Sequence, residues 1–466
     1  MTLETAELAI ADSARELPRA RTLAASDVKR ARGLLGRLDR ARATAVGDSW
    51  RALWSSRLLV WTAGVGTLAT YGFGPVRHAF NPPGLTRGFG WLGDLLAGPA
   101  ARWDAAWYLV IAHYGYRPDL GSFTASRDAF FPLYALGLRA LGWLGTPLIV
   151  AGVLVSTLAL AAALYGIHRL CSLECARLGR PDREVARLAV LLTAFAPMAF
   201  FFSAVYSESL YLALSVGLFY AARRGRFAQV GALAALAGAT RSTGIVLILP
   251  ALILYLYGPR EDRPPDFPNP RRLLAPRYRL RRSALWLALA PAGLGAYMAY
   301  LGIAGGDPLA PFHAQDVWGR HFAGPYGGIW DGLKAAFEGL RQLLSGQQQH
   351  AYFLIGRESP FVAAEHNLLL LAFLLAGLVA LVGVVRRLPA AYGAYAVAAL
   401  ALPLSYPVAA QPLMSLPRFL LVLFPLGIWL ALWLAERPRL QRPVLVGSGL
   451  LMAVFVAQFS TWHWVA

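Results

Sequence analysis

The sequence predicts an all-α membrane protein that crosses the bilayer about eleven times. Of its 466 residues, 57% are hydrophobic and only 15% are charged, which is more apolar surface than a soluble core of this length can bury. The formal net charge is +19, but the basic residues stand in short clusters between apolar runs. Such clusters are typical of cytosolic loops that orient membrane spans, so the charge does not indicate nucleic-acid binding.

Residues 1–53 contain no continuous apolar run and are predicted to form a basic cytosolic segment. An apolar face recurs there at helical spacing between arginines, which favours an amphipathic helix on the inner leaflet. The residues of this face are Ala24, Val28, Ala31, Leu35 and Leu38. A disordered tail is the alternative, above all for residues 1–18. The first hydrophobic run comes too late for a signal peptide.

Residues 54–466 form the predicted membrane domain, with the N-terminus in the cytosol by the positive-inside rule. The predicted spans are Leu58–Val76, Pro147–Ile167, Leu188–Val205, Leu210–Ala222, Phe227–Thr240, Gly244–Tyr257, Ser283–Ile303, Asn367–Val385, Ala390–Ala409, Phe419–Ala435 and Val444–Trp464. The loops 168–187 and 258–282 are rich in arginine and are assigned to the cytosol. This assignment leaves the loops 77–128 and 304–364 outside.

The first outer loop contains a helical pattern that is too short to cross the membrane, ARWDAAWYLVIAHYGY. We expect this helix to lie in the outer interface, with Trp103, Trp107 and Tyr108 at headgroup depth. Residues 129–167 must then contain an odd number of crossings. The stretch AFFPLYALGLRALGWLG, with Arg139 in its middle, is therefore predicted to be re-entrant or interfacial.

Ionisable residues beside membrane spans are costly and are kept where function or pairing requires them. The predicted topology places a set of them on the outer side. They are Arg102, Asp104, Asp128, Glu208, Arg241, His313, Asp316, Arg320 and Arg418. Because they come from separate loops, we predict an outward-facing active site. Taken singly, each of them could be a loop ion pair or a helix cap.

Asp104 is the predicted general base, because the surrounding aromatic residues would partly desolvate its carboxylate. An ion pair with the neighbouring Arg102 is the alternative. Glu208 follows Ser207 at the start of a predicted helix, where a carboxylate favours the helix dipole. Helix capping and substrate contact therefore remain open for Glu208.

Arg241 lies in the sequence ATRSTG between two short spans, close to the outer interface. The planar fork of arginine suits phosphate oxygens, and a phosphate leaving group needs such stabilisation. The alternative is that the side chain reaches toward the lipid headgroups without a catalytic role. Arg320 and Arg418 are rival candidates for the phosphate.

Several motif classes are absent or weak. GFGWLG matches a dinucleotide-binding pattern by chance, since no strand precedes it. The sequence contains no P-loop, HExxH or DxD pair, which favours a metal-free reaction on a lipid-linked donor. His168, Cys171 and Cys175 could line one helix face as metal ligands, but free cytosolic thiols are favoured because no fourth ligand lies nearby.

Six sequence blocks occur in the order found in a known family. They are RWDAAWYLVIAHYGY, AFFPLYAL, FFSAVYSESLYLALSVGLFYAARRGR, ATRSTGIVL, GDPLAPFHAQDVWGR and SLPRFLLVLFPL. Together they resemble the PIG-V family of mannosyltransferases, related to the enzyme that adds the second mannose of glycosylphosphatidylinositol anchors. The resemblance covers most of the chain from Arg102 to about Leu434, without the loop 258–282. Ala135 departs from the family, which often has proline there.

The resemblance implies a GT-C type membrane fold, an acid of the first outer loop as catalytic base, and a polyprenyl-phosphate donor that usually carries mannose. By position, that acid is Asp104. We therefore predict inverting glycosyl transfer to an extracytoplasmic lipid or glycan acceptor, without a metal or another cofactor. Arg241 is the first choice for the departing phosphate. The predicted substrate-binding residues are Arg102, Trp103, Tyr108, Glu208, Arg241, His313, Gln315, Trp318, Arg320 and Arg418.

Composition also bears on the location and on the alternatives. Nearly all basic residues are arginine, and alanine, glycine and leucine are abundant, which indicates GC-rich coding and a bacterial plasma membrane. A bacterial host would have no glycosylphosphatidylinositol to build, so the acceptor of the family cannot be assigned to this protein. The competing class is a carrier of lipid-linked sugar, although no inverted repeat or midplane polar cluster is evident. An inactive scaffold of the same fold is a further alternative.

Overall fold

The computed structural model describes residues 40–74, 80–116, 127–180, 182–268, 275–347 and 360–466. Within these ranges the chain forms helices and turns, together with two isolated β-bridges. The predicted all-α class is therefore confirmed for the part of the chain that is described. The predicted amphipathic pattern before residue 40 lies outside the described residues.

Seventeen helices are labelled here in chain order, within those ranges. They are α1 (40–71), α2 (Gly90–Ala97), α3 (Ala105–Tyr114), α4 (Pro132–Trp143), α5 (Leu148–Arg177), α6 (Asp182–Ala194), α7 (Glu208–Arg223), α8 (Phe227–Gly238), α9 (Ile248–Leu256), α10 (Ala292–Gly305), α11 (Ala310–His313), α12 (Gly324–Ser345), α13 (Pro360–Arg387), α14 (Ala390–Leu404), α15 (Leu416–Leu421), α16 (Phe424–Ala435) and α17 (Pro438–Ser460). Short 3-10 segments cover Ala199–Phe202, Ser242–Leu247, Arg282–Leu289 and Ala314–Trp318.

In the described part of the chain, four helices are long and apolar enough to cross a membrane. They are Leu148–Arg177, Arg282–Gly305, Phe361–Arg387 and Pro438–Ser460. Shorter apolar helices coincide with further predicted spans, at Phe227–Gly238, Ser242–Leu256, Ala390–Leu404 and Phe424–Ala435. The protein is therefore an integral membrane protein. The count of about eleven spans and the assignment of sides stay predictions.

Helix α1 runs without interruption through residue 53, where the sequence predicts a boundary between two segments. Ala45, Asp48 and Ala52 on this helix are buried, so residues 40–53 pack with the membrane domain. Arg57 holds α1 in place, since its guanidinium donates to the carbonyl of Ala199 at 2.8 Å and to two further oxygens nearby. The predicted boundary at residue 53 therefore falls inside a helix.

Helix α3 differs from its prediction as an interfacial helix. The side chains of Trp107 and Tyr108, and that of Trp103 just before the helix, are buried inside the protein. Sequence period alone cannot separate an aromatic face that meets headgroups from one that meets other helices. These three side chains therefore contact the protein interior rather than lipid headgroups, while their depth in the membrane stays a prediction.

The predicted outer loop 304–364 is largely helical in the part that is described. Helix α10 extends to Gly305, α11 follows at Ala310, and α12 spans 22 residues. Helix α7 lies at the centre of the core, packed between α5 and α8, and both of its terminal side chains, Glu208 and Arg223, are buried. This central helix positions the candidate site.

Candidate functional site

A cavity of about 590 Å³ lies beside the N-terminal end of α3. Its wall combines residues that are far apart in the sequence. The ionisable and polar residues predicted on the outer side that line it are Asp104, Tyr108, Arg241, Gln315, Asp316, Arg320 and Arg418, together with Trp103 and Trp318. The fold thus brings together charges from separate segments that the sequence predicts to lie outside.

Asp104 occupies the N-cap position of α3, but its side chain makes no capping hydrogen bond. Instead, Arg418 donates from Nη1 to Asp104 Oδ2 at 2.8 Å. The carboxylate is 17% exposed and lines the cavity, so it is both ion-paired and accessible to a small molecule. A carboxylate held in this way is oriented for proton transfer.

Arg102 does not form the alternative ion pair with Asp104. Its Nε donates to the carbonyl of Ser460 at 2.9 Å, and its guanidinium lies 4.7 Å from the ring centroid of Trp462. Arg102 is buried and does not line the cavity. The residue therefore anchors the loop before α3 to the end of α17.

Glu208 lies behind the cavity wall and is completely buried. Its Oε1 accepts from Arg418 Nε at 3.1 Å and Nη2 at 2.9 Å, and it forms an ion pair with Arg241 Nη1 at 2.9 Å. Burial alone would raise the pKa of Glu208, but Arg418 and Arg241 hold it below its usual value. Glu208 is therefore an ionised carboxylate that fixes two cavity arginines.

Asp104, Arg418, Glu208 and Arg241 contact one another in this order. We call these four residues the outer charge network, because the sequence predicts that they lie toward the outer side. Arg418 is the bridge, because its guanidinium contacts both carboxylates. Ser207 is the N-cap residue of α7 but makes no capping hydrogen bond, and its hydroxyl pairs with that of Tyr108 at 2.8 Å.

Two residues with unusual backbone angles flank the Asp104–Arg418 contact. Trp103 has φ of 53°, and Ser415, just before α15, has φ of 67°. Residues other than glycine rarely adopt these left-handed backbone angles, which cost about 1–3 kcal/mol each. Residues with such strained backbones cluster at functional sites. The carbonyl of Ser415 accepts from the Arg418 amide at 3.1 Å. The packed surroundings thus hold both partners of the ion pair in fixed positions.

Aromatic rings form one side of the cavity. Trp103 meets Phe80 and Trp464 at ring-centroid distances of 5.5 Å each. Phe130 stands edge-on to Tyr108 at 5.3 Å. Burial raises the pKa of Tyr108 to about 12, so its phenol remains protonated at neutral pH and can donate a hydrogen bond. Flat apolar rings beside such donors are suited to a sugar ring.

The two remaining cavity arginines differ in their pairing. Arg241 is held by Glu208, whereas Arg320 has no carboxylate within ion-pair distance among the described residues. Arg320 Nη1 donates only to the carbonyl of Tyr406, at 2.9 Å. Burial and the nearby Arg418 lower the pKa of Arg320 to about 10, which still leaves it charged at neutral pH. Arg320 is thus the cavity cation most available to an anion.

His313 lies apart from the other predicted residues. Its Nδ1 is 2.8 Å from Asp307 Oδ2, the ring is exposed, and it does not line the cavity. Asp128 lies near this pair, and burial together with the Asp307 charge raises the pKa of Asp128 to about 6. The predicted role of His313 in shaping the cavity is therefore wrong, whereas Gln315 and Trp318 do line it.

Sequence reasoning missed several cavity and supporting residues. Tyr206 and Phe201 hold Arg418, whose guanidinium carbon lies 4.8 Å and 5.0 Å from their ring centroids. Tyr406 and Trp464 line the cavity. Tyr206 is the first residue of the YSES block, so the sequence could have identified it. The other residues carry no local signal beyond their aromatic character.

The alternative of a metal site at His168, Cys171 and Cys175 is not supported by the geometry. Cys171 and Cys175 are buried on α5, and His168 Nε2 lies 3.4 Å from Asp48 Oδ2. Among the described residues, no three His, Cys, Asp or Glu side chains are grouped as a metal site.

Comparison with known proteins adds to this geometry. Residues 78–253 match the sequence profile of the family described as Mannosyltransferase (PIG-V). Over this segment the chain is similar to the PIG-V family. The PIG-V segment includes Asp104, Glu208 and Arg241, whereas Arg320 and Arg418 lie beyond it. The match therefore covers three of the four residues of the outer charge network, including the predicted base Asp104.

Curated relatives are similar over a comparable length. The GPI alpha-1,6-mannosyltransferase 2 of Rattus norvegicus is 32% identical over 188 residues, and the protein of the same name from Mus musculus is 33% identical over 187 residues. A third, from Cricetulus griseus, is 32% identical over 189 residues. The matches cover 37% of this chain and 36% of each relative, so the chain spans a little over a third of their length.

Proposed function

We propose that this protein is a membrane mannosyltransferase that moves a sugar from a polyprenyl-phosphate donor to an extracytoplasmic lipid or glycan acceptor, with inversion. One observation carries the proposal: a cavity lined by an accessible, ion-paired carboxylate and by several arginines. The PIG-V match supports mannosyl transfer as the reaction class. A plasma membrane of bacterial type remains part of the proposal.

Asp104 is the proposed general base. Its carboxylate takes the proton of an acceptor hydroxyl while that oxygen forms a bond to the anomeric carbon. The bond between the anomeric carbon and the phosphate oxygen breaks at the same time, and the electron pair leaves with the polyprenyl phosphate. Attack from the face opposite the leaving group inverts the configuration. Arg418 orients the carboxylate for this step.

Arg320 is the proposed ligand of the departing phosphate, in place of Arg241, the first choice from the sequence. Arg241 already neutralises Glu208, whereas Arg320 faces the cavity without a described carboxylate partner. An arginine aimed at developing negative charge lowers the barrier most where water is excluded. Arg241 is then a wall residue that holds Glu208 and, through it, Arg418.

The proposal includes a metal-independent reaction. Both network carboxylates are compensated by arginine, and a neighbouring positive charge weakens the attraction of a carboxylate for a metal cation. Transfer is therefore expected to continue after treatment with a chelator. A loss of activity that added Mg²⁺ or Mn²⁺ restores would contradict this part of the proposal.

The test uses purified full-length protein, radiolabelled polyprenyl-phosphate mannose and a membrane lipid extract. The wild type should yield a labelled lipid or glycan, and Asp104→Asn should lower the rate about a thousandfold, because a general base contributes ~10²–10⁴ in rate. The matched control is Asp331→Asn, which removes an acid of α12 that does not line the cavity.

The outcomes distinguish the proposed transferase from the alternative carrier. Equal activity of Asp104→Asn and the wild type would remove Asp104 as the base. Bound donor without product in the wild type would indicate the carrier class instead. Folding of each variant is checked by its thermal melting and its elution from size-exclusion chromatography.

A further inference from the structure

Helix α12 carries a row of large apolar side chains that point away from the protein. The residues of this α12 stripe are Tyr326, Trp330, Leu333, Phe337, Leu340 and Leu344. They recur every three or four positions, which places them on one face of the helix. Their exposed fractions range from 40% to 80%, so the described part of the protein leaves the stripe uncovered.

The opposite face of α12 is tightly packed. A Cβ at Gly328 would lie 2.3 Å from the carbonyl oxygen of Leu404 on α14, and one at Gly339 would lie 2.9 Å from that of Ala364 on α13. These close approaches fix the rotation of α12, so the stripe cannot turn inward. The supporting helix α13 is a candidate membrane span whose surface is mostly unburied. The stripe is therefore continuous with a surface suited to lipid.

The flank of α12 is charged. Asp331, Lys334, Glu338 and Arg341 lie between the apolar positions, and Lys334 Nζ is 5.4 Å from the ring centroid of Trp330. With 22 residues the helix is long enough to cross a membrane, yet it is not among the four described helices with the required composition. A helix with one apolar face and a charged flank lies in the plane of the interface.

An apolar path leads from α12 to the cavity. Phe322, just before the helix, is exposed and lies 5.3 Å from the ring of Tyr406, which lines the cavity. Two hydrogen bonds fix this path, because the Ala323 amide donates to the carbonyl of Ser405 at 2.9 Å and the side chain of Arg320 donates from Nη1 to the carbonyl of Tyr406. The path therefore ends at the cavity cation that has no described carboxylate partner.

We propose that the α12 stripe, extended by Phe322 and Tyr406, binds the isoprenoid chain of the donor lipid and guides its phosphate to Arg320. This inference rests on the proposed function. A long apolar surface that ends at one available cation matches an amphiphile with a hydrocarbon tail and a single anionic head. A protein partner or a second copy of the chain would not require the arginine at the end of the path.

The kinetic test compares a long-chain polyprenyl-phosphate mannose with a short, water-soluble analogue of the same sugar phosphate. Trp330→Gln and Phe337→Gln should each raise KM for the long-chain donor roughly tenfold, since removing one large apolar contact changes affinity by about that factor. KM for the short analogue and kcat for both donors should stay unchanged. Glu338→Gln, on the charged flank, is the matched control.

The result distinguishes failure of this inference from failure of the proposed function. A wild type that is inactive with both donors would overturn the proposed function. An active wild type whose Trp330→Gln and Phe337→Gln variants keep the same KM for the long-chain donor would overturn the role of α12. An equal rise in KM for both donors would also overturn it, because the effect would not depend on the isoprenoid chain.

Photolabelling of the unaltered protein gives a second measurement that does not depend on the folding of variants. A photoreactive isoprenyl phosphate should label peptides from α12, and unlabelled long-chain isoprenyl phosphate should compete. A photoreactive phosphatidylglycerol of equal concentration should label α12 at least several times less. Equal labelling by both probes would mean that the stripe contacts bulk bilayer lipid only, and would overturn the proposal.

Discussion

The two ends of helix α7 carry two buried charge clusters that differ in purpose. Glu208 and Arg223 are both fully buried and stand roughly 22 Å apart along the helix. Glu208 belongs to the outer charge network beside the cavity. Arg223 pairs with Glu174 at 2.9 Å and with Glu261 at 3.1 Å, and Tyr392 donates to Glu174 at 2.9 Å.

The comparison shows that a buried ion pair alone does not indicate a functional site. The Arg223 cluster joins α5, α7 and α14, and none of its residues lines the 590 Å³ cavity. The outer network has an accessible member in Asp104 and two strained backbone positions beside it, Trp103 and Ser415. Access to a cavity and local strain therefore separate the candidate catalytic end from the structural end.

The largest expected effects on stability come from removing the central arginine of each charge cluster. Arg418→Met and Arg223→Met each leave buried carboxylates with fewer partners, so each should lower the free energy of unfolding by about 3–5 kcal/mol. Denaturant unfolding in detergent measures both losses. A loss below about 1 kcal/mol for either variant would mean that the cluster is not buried as described.

Replacing Arg320 should separate activity from stability. Arg320→Gln leaves no described buried carboxylate unpaired, so the free energy of unfolding should change by less than about 1 kcal/mol. Transfer should fall about a hundredfold, since one donor to a developing anion is worth ~10²–10³ in rate. Steady-state kinetics measure the effect, with Arg439→Gln as a control on α17, away from the cavity. Unchanged kinetics would return the phosphate role to Arg241.

The smallest effect is expected on stability, at Asp128. The pKa of Asp128 is raised from 3.8 to about 6 by burial and by Asp307, so protonation of this group favours the folded state. Its contribution to stability is present below pH 3.8 and is lost as the pH rises through 6. Asp128→Asn should therefore melt at a higher temperature than the wild type at pH 7, and at the same temperature near pH 3.8.

Thermal melts of both proteins across this range provide the measurement. Comparing variant with wild type at each pH cancels the titration of all other groups. Equal melting temperatures at pH 7 would show that Asp128 is solvated rather than partly buried.

The sequence was informative where charge alone identifies a residue. Asp104, Glu208, Arg241 and Arg418 stood out because carboxylates and arginines are costly beside membrane spans. Their pairing could not be predicted, since Asp104 and Arg418 are 314 positions apart and partner choice depends on helix packing. The nearer cation, Arg102, instead contacts Ser460 and Trp462 at the end of α17.

Aromatic residues were placed less well, for a physical reason. Tryptophan and tyrosine favour both membrane interfaces and protein cores, because each has an apolar body and a polar tip. Trp107 and Tyr108 of α3 are buried, whereas the aromatic residues Tyr326, Trp330 and Phe337 of α12 belong to the exposed stripe. Only tertiary packing decides between the two environments. In α12, the face that contains Gly328 and Gly339 packs against the protein, so the aromatic face is exposed.

The most direct test of the account compares Arg418→Lys with Arg223→Lys. Both variants keep the positive charge and lose the planar fork of arginine. Transfer rate is measured per folded molecule, with the folded fraction taken from size-exclusion chromatography. We predict that Arg418→Lys loses about a hundredfold in kcat while Arg223→Lys, once folded, retains the wild-type kcat. Equal losses at both ends, or full activity of Arg418→Lys, would contradict the assignment of the Glu208 end as catalytic.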